Sequence, residues 1–110
     1  MAMSMIRAIV RPEKTRSVLE SLAAAGFPGA TCMDVYGRGE RRARGTGDIF
    51  YDEDPKHMLL FVVDEADEAQ VAEIISTCAR TGEAGNAGDG RIFVCPCERA
   101  YTISSGAEGL

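Results

Sequence analysis

The sequence predicts an α+β domain whose elements run strand, helix, strand, strand, helix, strand. Two segments repeat apolar residues at helical spacing, and each stops at a glycine. Each is preceded and followed by short runs of strand character, and one of these, Met58-Leu59-Leu60-Phe61-Val62-Val63, is continuously apolar. That order matches the split βαβ pattern of ferredoxin-like folds. A chain of 110 residues with 45% hydrophobic content fits one domain, 1–110, with a single core. So small a domain is marginally stable alone, which makes self-association physically reasonable without requiring it.

Ile6, Ala8 and Val10 alternate with Arg7, Ile9 and Arg11, as in a strand buried more on one face than on the other. Pro12 ends this run and suits the first turn of a helix. Val18, Leu19, Leu22 and Ala23 then recur at helical spacing up to Gly26, predicting a helix over about 13–25. Ala30 to Tyr36 has strand character. The stretch 37–55 carries glycines at 37, 39, 45 and 47 and few apolar residues, and it reads as a loop far longer than an ordinary connection, the kind more often functional than incidental. The apolar run 58–63 predicts a central strand covered on both faces or at an oligomer contact. Asp64 can cap the second helix, whose stripe is Val71, Ile74, Ile75, Cys78 and Ala79 and which ends near Thr81-Gly82. A second, glycine-rich loop over about 82–90 leads into a strand from Arg91 to Cys95, and a C-terminal segment of about 99–110 closes the chain.

The net charge of −5 argues against nucleic acid as a partner, because such binding needs a basic surface to displace phosphate counterions. The segment Met1 to Arg7 lacks the apolar stretch of a secretory signal, and no apolar run approaches the roughly 18 residues of a membrane span, so the cytoplasm is the expected compartment and membrane insertion is not. Reduced, partly buried thiols are expected at Cys32, Cys78, Cys95 and Cys97. Cys95 and Cys97 would share a strand face, but C-x-C with a lone His57 is not the spacing of a structural zinc site.

Catalytic constellations are missing. No nucleophile and base signature occurs, and Asp52, Glu53 and Asp54 read as a solvated acidic run. The loops suit binding instead. Gly85-Asn86-Ala87-Gly88-Asp89-Gly90-Arg91 has the physics of a phosphate cradle, since glycines let backbone N–H groups approach an anion and Arg91 adds a charged fork; it is not a Walker A motif, and an ordinary turn fits the spacing equally. Arg38, Arg41, Arg42 and Arg44 make a basic tract on an acidic protein, suited to an anionic ligand or an acidic partner, or simply solvated.

Several stretches together resemble the nitrogen-regulatory PII proteins: Ile6-Arg7-Ala8-Ile9-Val10-Arg11-Pro12-Glu13-Lys14, Gly37-Arg38-Gly39, Pro55-Lys56, and Gly88-Asp89-Gly90-Arg91-Ile92-Phe93-Val94. The resemblance spans almost the whole chain. The segment Gly47 to Lys56 and the ending Ala100-Tyr101-Thr102-Ile103-Ser104-Ser105-Gly106 look most like the nitrogenase-associated branch. The resemblance implies a homotrimer, or an assembly with a sister subunit, that binds ATP or ADP in the clefts between subunits and reads 2-oxoglutarate through Mg²⁺. It implies that Ile9, Thr31, Gly37 and Arg38 border the base or the loop root, that Lys56 approaches the phosphates, and that Gly88, Asp89, Gly90 and Arg91 wrap them.

Three departures from the family pattern bear on that site. Two arginines that clamp phosphates from the neighbouring subunit are replaced here by Thr102 and Ser104, which supply hydroxyls rather than charge. The glutamine that supports Mg²⁺ and 2-oxoglutarate falls at Arg41, which cannot ligate a metal. Tyr51 is out of register, counted back from Pro55, with the tyrosine that is uridylylated in other members. The function expected from the resemblance is metabolite sensing with inhibition of nitrogenase by direct binding, with Arg41, Arg42, Arg44 and Tyr51 facing the partner. The competing readings are a PII-like regulator of a transporter or another enzyme, and a trimeric metal-binding protein using Cys95, Cys97 and His57. An acylphosphatase-like enzyme of the same fold class is a further, weaker alternative.

Overall fold

The computed structural model describes residues 2–42 and 49–110. Its elements are β1 (Met3–Val10), α1 (Thr15–Ala24), β2 (Thr31–Arg42), β3 (Ile49–Asp64), α2 (Glu68–Ala79) and β4 (Gly90–Cys97), and the four strands form one antiparallel sheet in the order β2-β3-β1-β4. This is the ferredoxin-like βαββαβ fold.

The core follows from the alternation in the strands. Ile6, Ala8 and Val10 of β1 and Leu59, Phe61 and Val63 of β3 face Val18 and Leu22 of α1 and Val71, Ile75 and Ala79 of α2, all buried in one cluster. Both helices therefore cover the same face of the sheet. Pro12 opens a single 3₁₀ turn, Pro12–Lys14, and the α-helix begins only at Thr15, so the predicted helix is two pieces. Gly26 terminates it at φ +99°, a conformation an L side chain rarely adopts. Asp64 caps the turn before α2, its carboxylate accepting from the Ala66 amide at 3.0 Å.

One expectation changes, and for the apolar strand cover on both faces is not met within one chain. The stretch 37–55 is largely not a loop: β2 and β3 stay paired from Thr31 opposite Leu60 out to Arg42 opposite Ile49, as a two-stranded ribbon extending beyond the rest of the sheet. Pairing needs only backbone donors and acceptors, so a polar, glycine-bearing segment with no core to fill can still form it. The apolar run of β3 is internal to the sheet but covered on one face only. Leu59, Phe61 and Val63 are buried, whereas Met58, Leu60 and Val62 are half-buried on the face without helices. Met33, paired with Met58, and Phe93, paired with Arg7, are exposed on that same face.

The tightest backbone approach is at the start of β4. Gly90 has φ +121°, and a Cβ there would fall inside the van der Waals shell of the Ile9 carbonyl oxygen, which belongs to β1 and cannot swing aside. Gly90→Ala should therefore destabilise the fold by at least about 3 kcal/mol, combining the conformational penalty with the clash. Gly29→Ala, with open space around it and no positive φ, should stay within about 0.5 kcal/mol of wild type. Urea midpoints of the two variants check this.

Candidate functional site

The register of the sheet brings the end of β1 and the start of β4 beside the middle of β2 and β3. Ile9 of β1 lies opposite Met58 on one side and Arg91 on the other, and Gly37 of β2 lies opposite Asp54. A cavity of about 440 Å³ opens there, lined by Ile9, Gly37, Arg38, Gly39, Asp54, Lys56, Ala87, Gly88, Gly90, Arg91 and Phe93. Three of these side chains are cationic and one is a carboxylate, on a protein whose net charge is −5. The site is locally suited to an anion.

Lys56 is buried although it is charged, and two features make that tolerable. Its stem runs beneath Gly37, where a Cβ would sit only 3.3 Å from the Lys56 Cγ, and its ammonium donates to the Gly88 carbonyl at 2.5 Å. Gly88 has φ +94°; a side chain there would stand 3.1 Å from the Arg11 guanidinium and 3.7 Å from the Lys56 ammonium. The glycines at 37 and 88 keep this space open for the two cations.

The glycine-rich loop is organised by Asp89. Its carboxylate accepts from the Thr81 hydroxyl at 2.5 Å, the Thr81 amide at 3.0 Å, the Asn86 amide at 2.8 Å and Arg11 Nε at 3.1 Å. The Thr81 hydroxyl and the two amides, joined by Arg11, hold its carboxyl well below the usual carboxylate range. The Asp89 amide donates to the Asn86 carbonyl at 3.1 Å, closing a turn. Asp89 thus differs from the expectation that its backbone would wrap an anion: its amide bonds within the loop, and its carboxylate gathers Thr81, Asn86 and Arg11.

Of the residues singled out from the sequence, the structure brings Ile9, Gly37, Arg38, Lys56, Gly88, Gly90 and Arg91 to one cavity, whose lining does not include Asp89. Thr31, Thr102 and Ser104 are exposed and do not line it. Arg41, Arg42 and Tyr51 are placed on the ribbon by backbone register, opposite Phe50, Ile49 and Glu40 respectively, and Arg44 lies outside the described residues. Arg11 and Asn86 stand in stretches the sequence reading singles out, but neither they nor Thr81 are given a role of their own there. The signal for them was slight: an aspartate between glycines needs donors, and Arg11 leaves β1 level with it.

His57 and the cysteines do not converge. His57 sits opposite Val10, with Nδ1 2.7 Å from the Thr15 hydroxyl and Nε2 3.2 Å from Asp34, while Cys97 pairs with Met3 at the other end of β1. Among the described residues no three His, Cys, Asp or Glu side chains come together in a manner that could hold a metal ion. The four cysteines are free, and Cys32 and Cys95 are exposed rather than partly buried because they lie on the edge strands. No helix among the described residues is long and apolar enough to cross a membrane.

A ferredoxin-like sheet carries a ribbon that rises beside a cationic, glycine-lined cavity, an arrangement suited to an anionic ligand next to a projecting arm. Residues 3–107 match the family model described as nitrogen regulatory protein P-II, and the chain belongs to that family. It is 49% identical over 108 residues to the nitrogen fixation nifHD region GlnB-like protein 1 of Methanothermobacter marburgensis, covering 98% of this chain and all of that relative, which places it in the nitrogen-fixation-associated branch. Among solved structures, the GlnK–ATP complex of B. subtilis superposes with a TM-score of 0.82 at 26% identity, over 98% of this chain and 93% of that one. Arabidopsis thaliana PII bound to citrate superposes with a TM-score of 0.78 at 30% identity, over 97% and 85%.

The lowered Asp89 carboxyl has a consequence for stability. A carboxyl whose folded pKa is depressed contributes stability that is complete above the unfolded value of about 3.9 and is lost as pH falls below it toward the folded value. Asp89→Asn should therefore lower the urea midpoint at pH 7, and the difference from wild type should shrink below about pH 4, where the carboxyl takes up a proton in the unfolded chain while the folded one stays ionised. An unchanged difference across that window would mean that charge is irrelevant to the loop.

Proposed function

We propose that this chain is a signalling subunit, not an enzyme, that binds ATP or ADP at the cavity between the ribbon root and the glycine-rich loop and regulates nitrogenase by direct contact. The observation that carries the reading is the convergence of Lys56, Arg91, Gly37 and Gly88 on one anion-suited cavity. It is supported by the similarity to a GlnK solved with ATP and to relatives named for a nitrogen fixation region. In this reading Ile9 and Phe93 offer an apolar wall to the base, and Gly88, Gly90, Arg91 and Lys56 meet the phosphates. The nucleotide itself supplies only charge and shape, and no bond in it is broken.

A homotrimer acting in the cytoplasm completes the proposal. The sheet face without helices exposes Met33 and Phe93 beside the half-buried Met58, Leu60 and Val62, an apolar surface suited to burial against other copies. Thr31, Thr102 and Ser104, which do not line the cavity of their own chain, would then reach the cleft from a neighbouring subunit. With hydroxyls at 102 and 104, the positive charge at the phosphates comes mainly from Lys56 and Arg91. The arginine tract at 38–44 would speed encounter with an acidic surface of the nitrogenase, with or without a sister subunit in the assembly.

Titration calorimetry with ATP, ADP and 2-oxoglutarate tests the ligand half. Micromolar-range or tighter binding of nucleotide is expected, and Arg91→Ala should weaken ATP by about 1.5–3 kcal/mol, the range for a hydrogen bond to a charged group. Unchanged affinity in a folded Arg91→Ala protein would show that the cavity is misassigned. With arginine at position 41, 2-oxoglutarate with Mg²⁺ should add little to ATP affinity; a large gain would contradict this. Removing residues 41–46 tests the output half: light scattering should show the oligomer intact while inhibition of purified nitrogenase is lost.

A further inference from the structure

Arg11 does not line the cavity, yet it is placed to decide whether the cavity has a floor. Its guanidinium spans two acceptors of the glycine-rich loop, donating from Nε to Asp89 at 3.1 Å and from Nη2 to the Ala87 carbonyl at 3.0 Å. The first bond ends on the carboxylate that also gathers Thr81 and Asn86, and Asn86 in turn donates through its side chain to the Thr81 carbonyl at 3.1 Å and hydroxyl at 2.9 Å. The loop from Thr81 to Asp89 is thus closed on itself by one carboxylate and tied to the end of β1 by one guanidinium.

The second bond sets a direction. In a trans peptide the carbonyl and the following N–H point opposite ways, so a guanidinium holding the Ala87 oxygen turns the Gly88 N–H away from itself. Lys56 does the corresponding service for the next carbonyl, that of Gly88. Two adjacent peptide units of the proposed phosphate loop are therefore oriented by two cations, Arg11 just past the end of β1 and Lys56 within β3. A guanidinium suits the Arg11 position because its fork meets two acceptors at once, which an ammonium on a flexible stem does not do with fixed geometry.

We propose that Arg11 is a positioning residue of the nucleotide site: through Asp89 and the Ala87 carbonyl it holds the glycine-rich loop in its phosphate-accepting conformation before ligand arrives. This rests on the nucleotide reading above. Ordering the loop in advance removes from binding the cost of ordering it then, so affinity depends on a side chain that never touches the ligand.

The test uses the full chain with Arg11→Ala and Arg11→Lys, measuring amide hydrogen exchange over residues 82–90 without ligand, the thermal midpoint, and ATP affinity. The expected result for Arg11→Ala is faster exchange confined to that loop and a loss of ATP affinity of roughly tenfold or more, with α1, α2 and the sheet protected as in wild type. Arg11→Lys, which keeps the charge and loses the fork, should fall between Arg11→Ala and wild type in both exchange and affinity. Wild-type exchange in the loop of Arg11→Ala, or wild-type ATP affinity beside faster exchange, would overturn the positioning role alone. Wild-type protein that binds no nucleotide would overturn the nucleotide reading and this role with it. A general rise in exchange across both helices in Arg11→Ala and Arg11→Lys alike would make Arg11 a residue of global stability, and would likewise overturn the proposal.

Discussion

Strand β1 is hydrogen-bonded on both of its edges, and its register fixes what meets at the site. Val10 faces His57 on one side and Gly90 on the other, and Ile9 faces Met58 and Arg91. Because side chains alternate, a slip of one residue would turn Ile6, Ala8 and Val10 out of the core and Ile9 away from the cavity at the same stroke. The register is held by that buried face and by the close approach of Gly90 to the Ile9 carbonyl. Core packing and site geometry are thus one constraint, and the cavity inherits the rigidity of the most buried strand.

On this frame the elements that carry charge are distributed by distance from the core. Lys56 is buried and bonded to a backbone carbonyl, Arg11 is half-exposed and bonded to a carboxylate, and Arg91 is exposed at the cavity wall. Phosphate groups arriving at the cavity would compete with the Gly88 carbonyl for Lys56, whose stem lies under Gly37 at the root of the ribbon. That gives the proposed signal a physical route: a ligand shifts the ribbon only to the extent that it binds one arrangement of this root better than another. The route is short, from one ammonium to the glycine stacked on it.

The core was legible because burial imposes periodicity. The stripe Val71, Ile74, Ile75, Cys78, Ala79 and the alternation Ile6, Ala8, Val10 announce one helix face and one strand face; all are buried except Ile74 and Cys78, which pack partly buried against the core. The ribbon was not legible, because strands that extend past the core carry no hydrophobic alternation; Gly37, Gly39 and the arginines look like a loop until backbone pairing is seen. In the glycine-rich loop residue type singles out Gly88 and Arg91, and both line the cavity. What residue type does not show is the role of Asp89, whose donors Thr81 and Arg11 are 8 and 78 positions away. Family resemblance supplied Thr31, Thr102 and Ser104, which a single chain does not bring to the cavity.

The central claim is that nucleotide phosphates lie in the cavity between the ribbon root and the glycine-rich loop. A crystal structure of the protein grown with ATP or ADP tests it most directly. The account predicts phosphates within hydrogen-bond distance of Arg91, Lys56 and the Gly88 backbone, the base against Ile9, and the Asp89 carboxylate still bonded to Thr81 and Arg11. Nucleotide bound elsewhere on the protein, with Lys56 still holding the Gly88 carbonyl and no phosphate near Arg91, would contradict it.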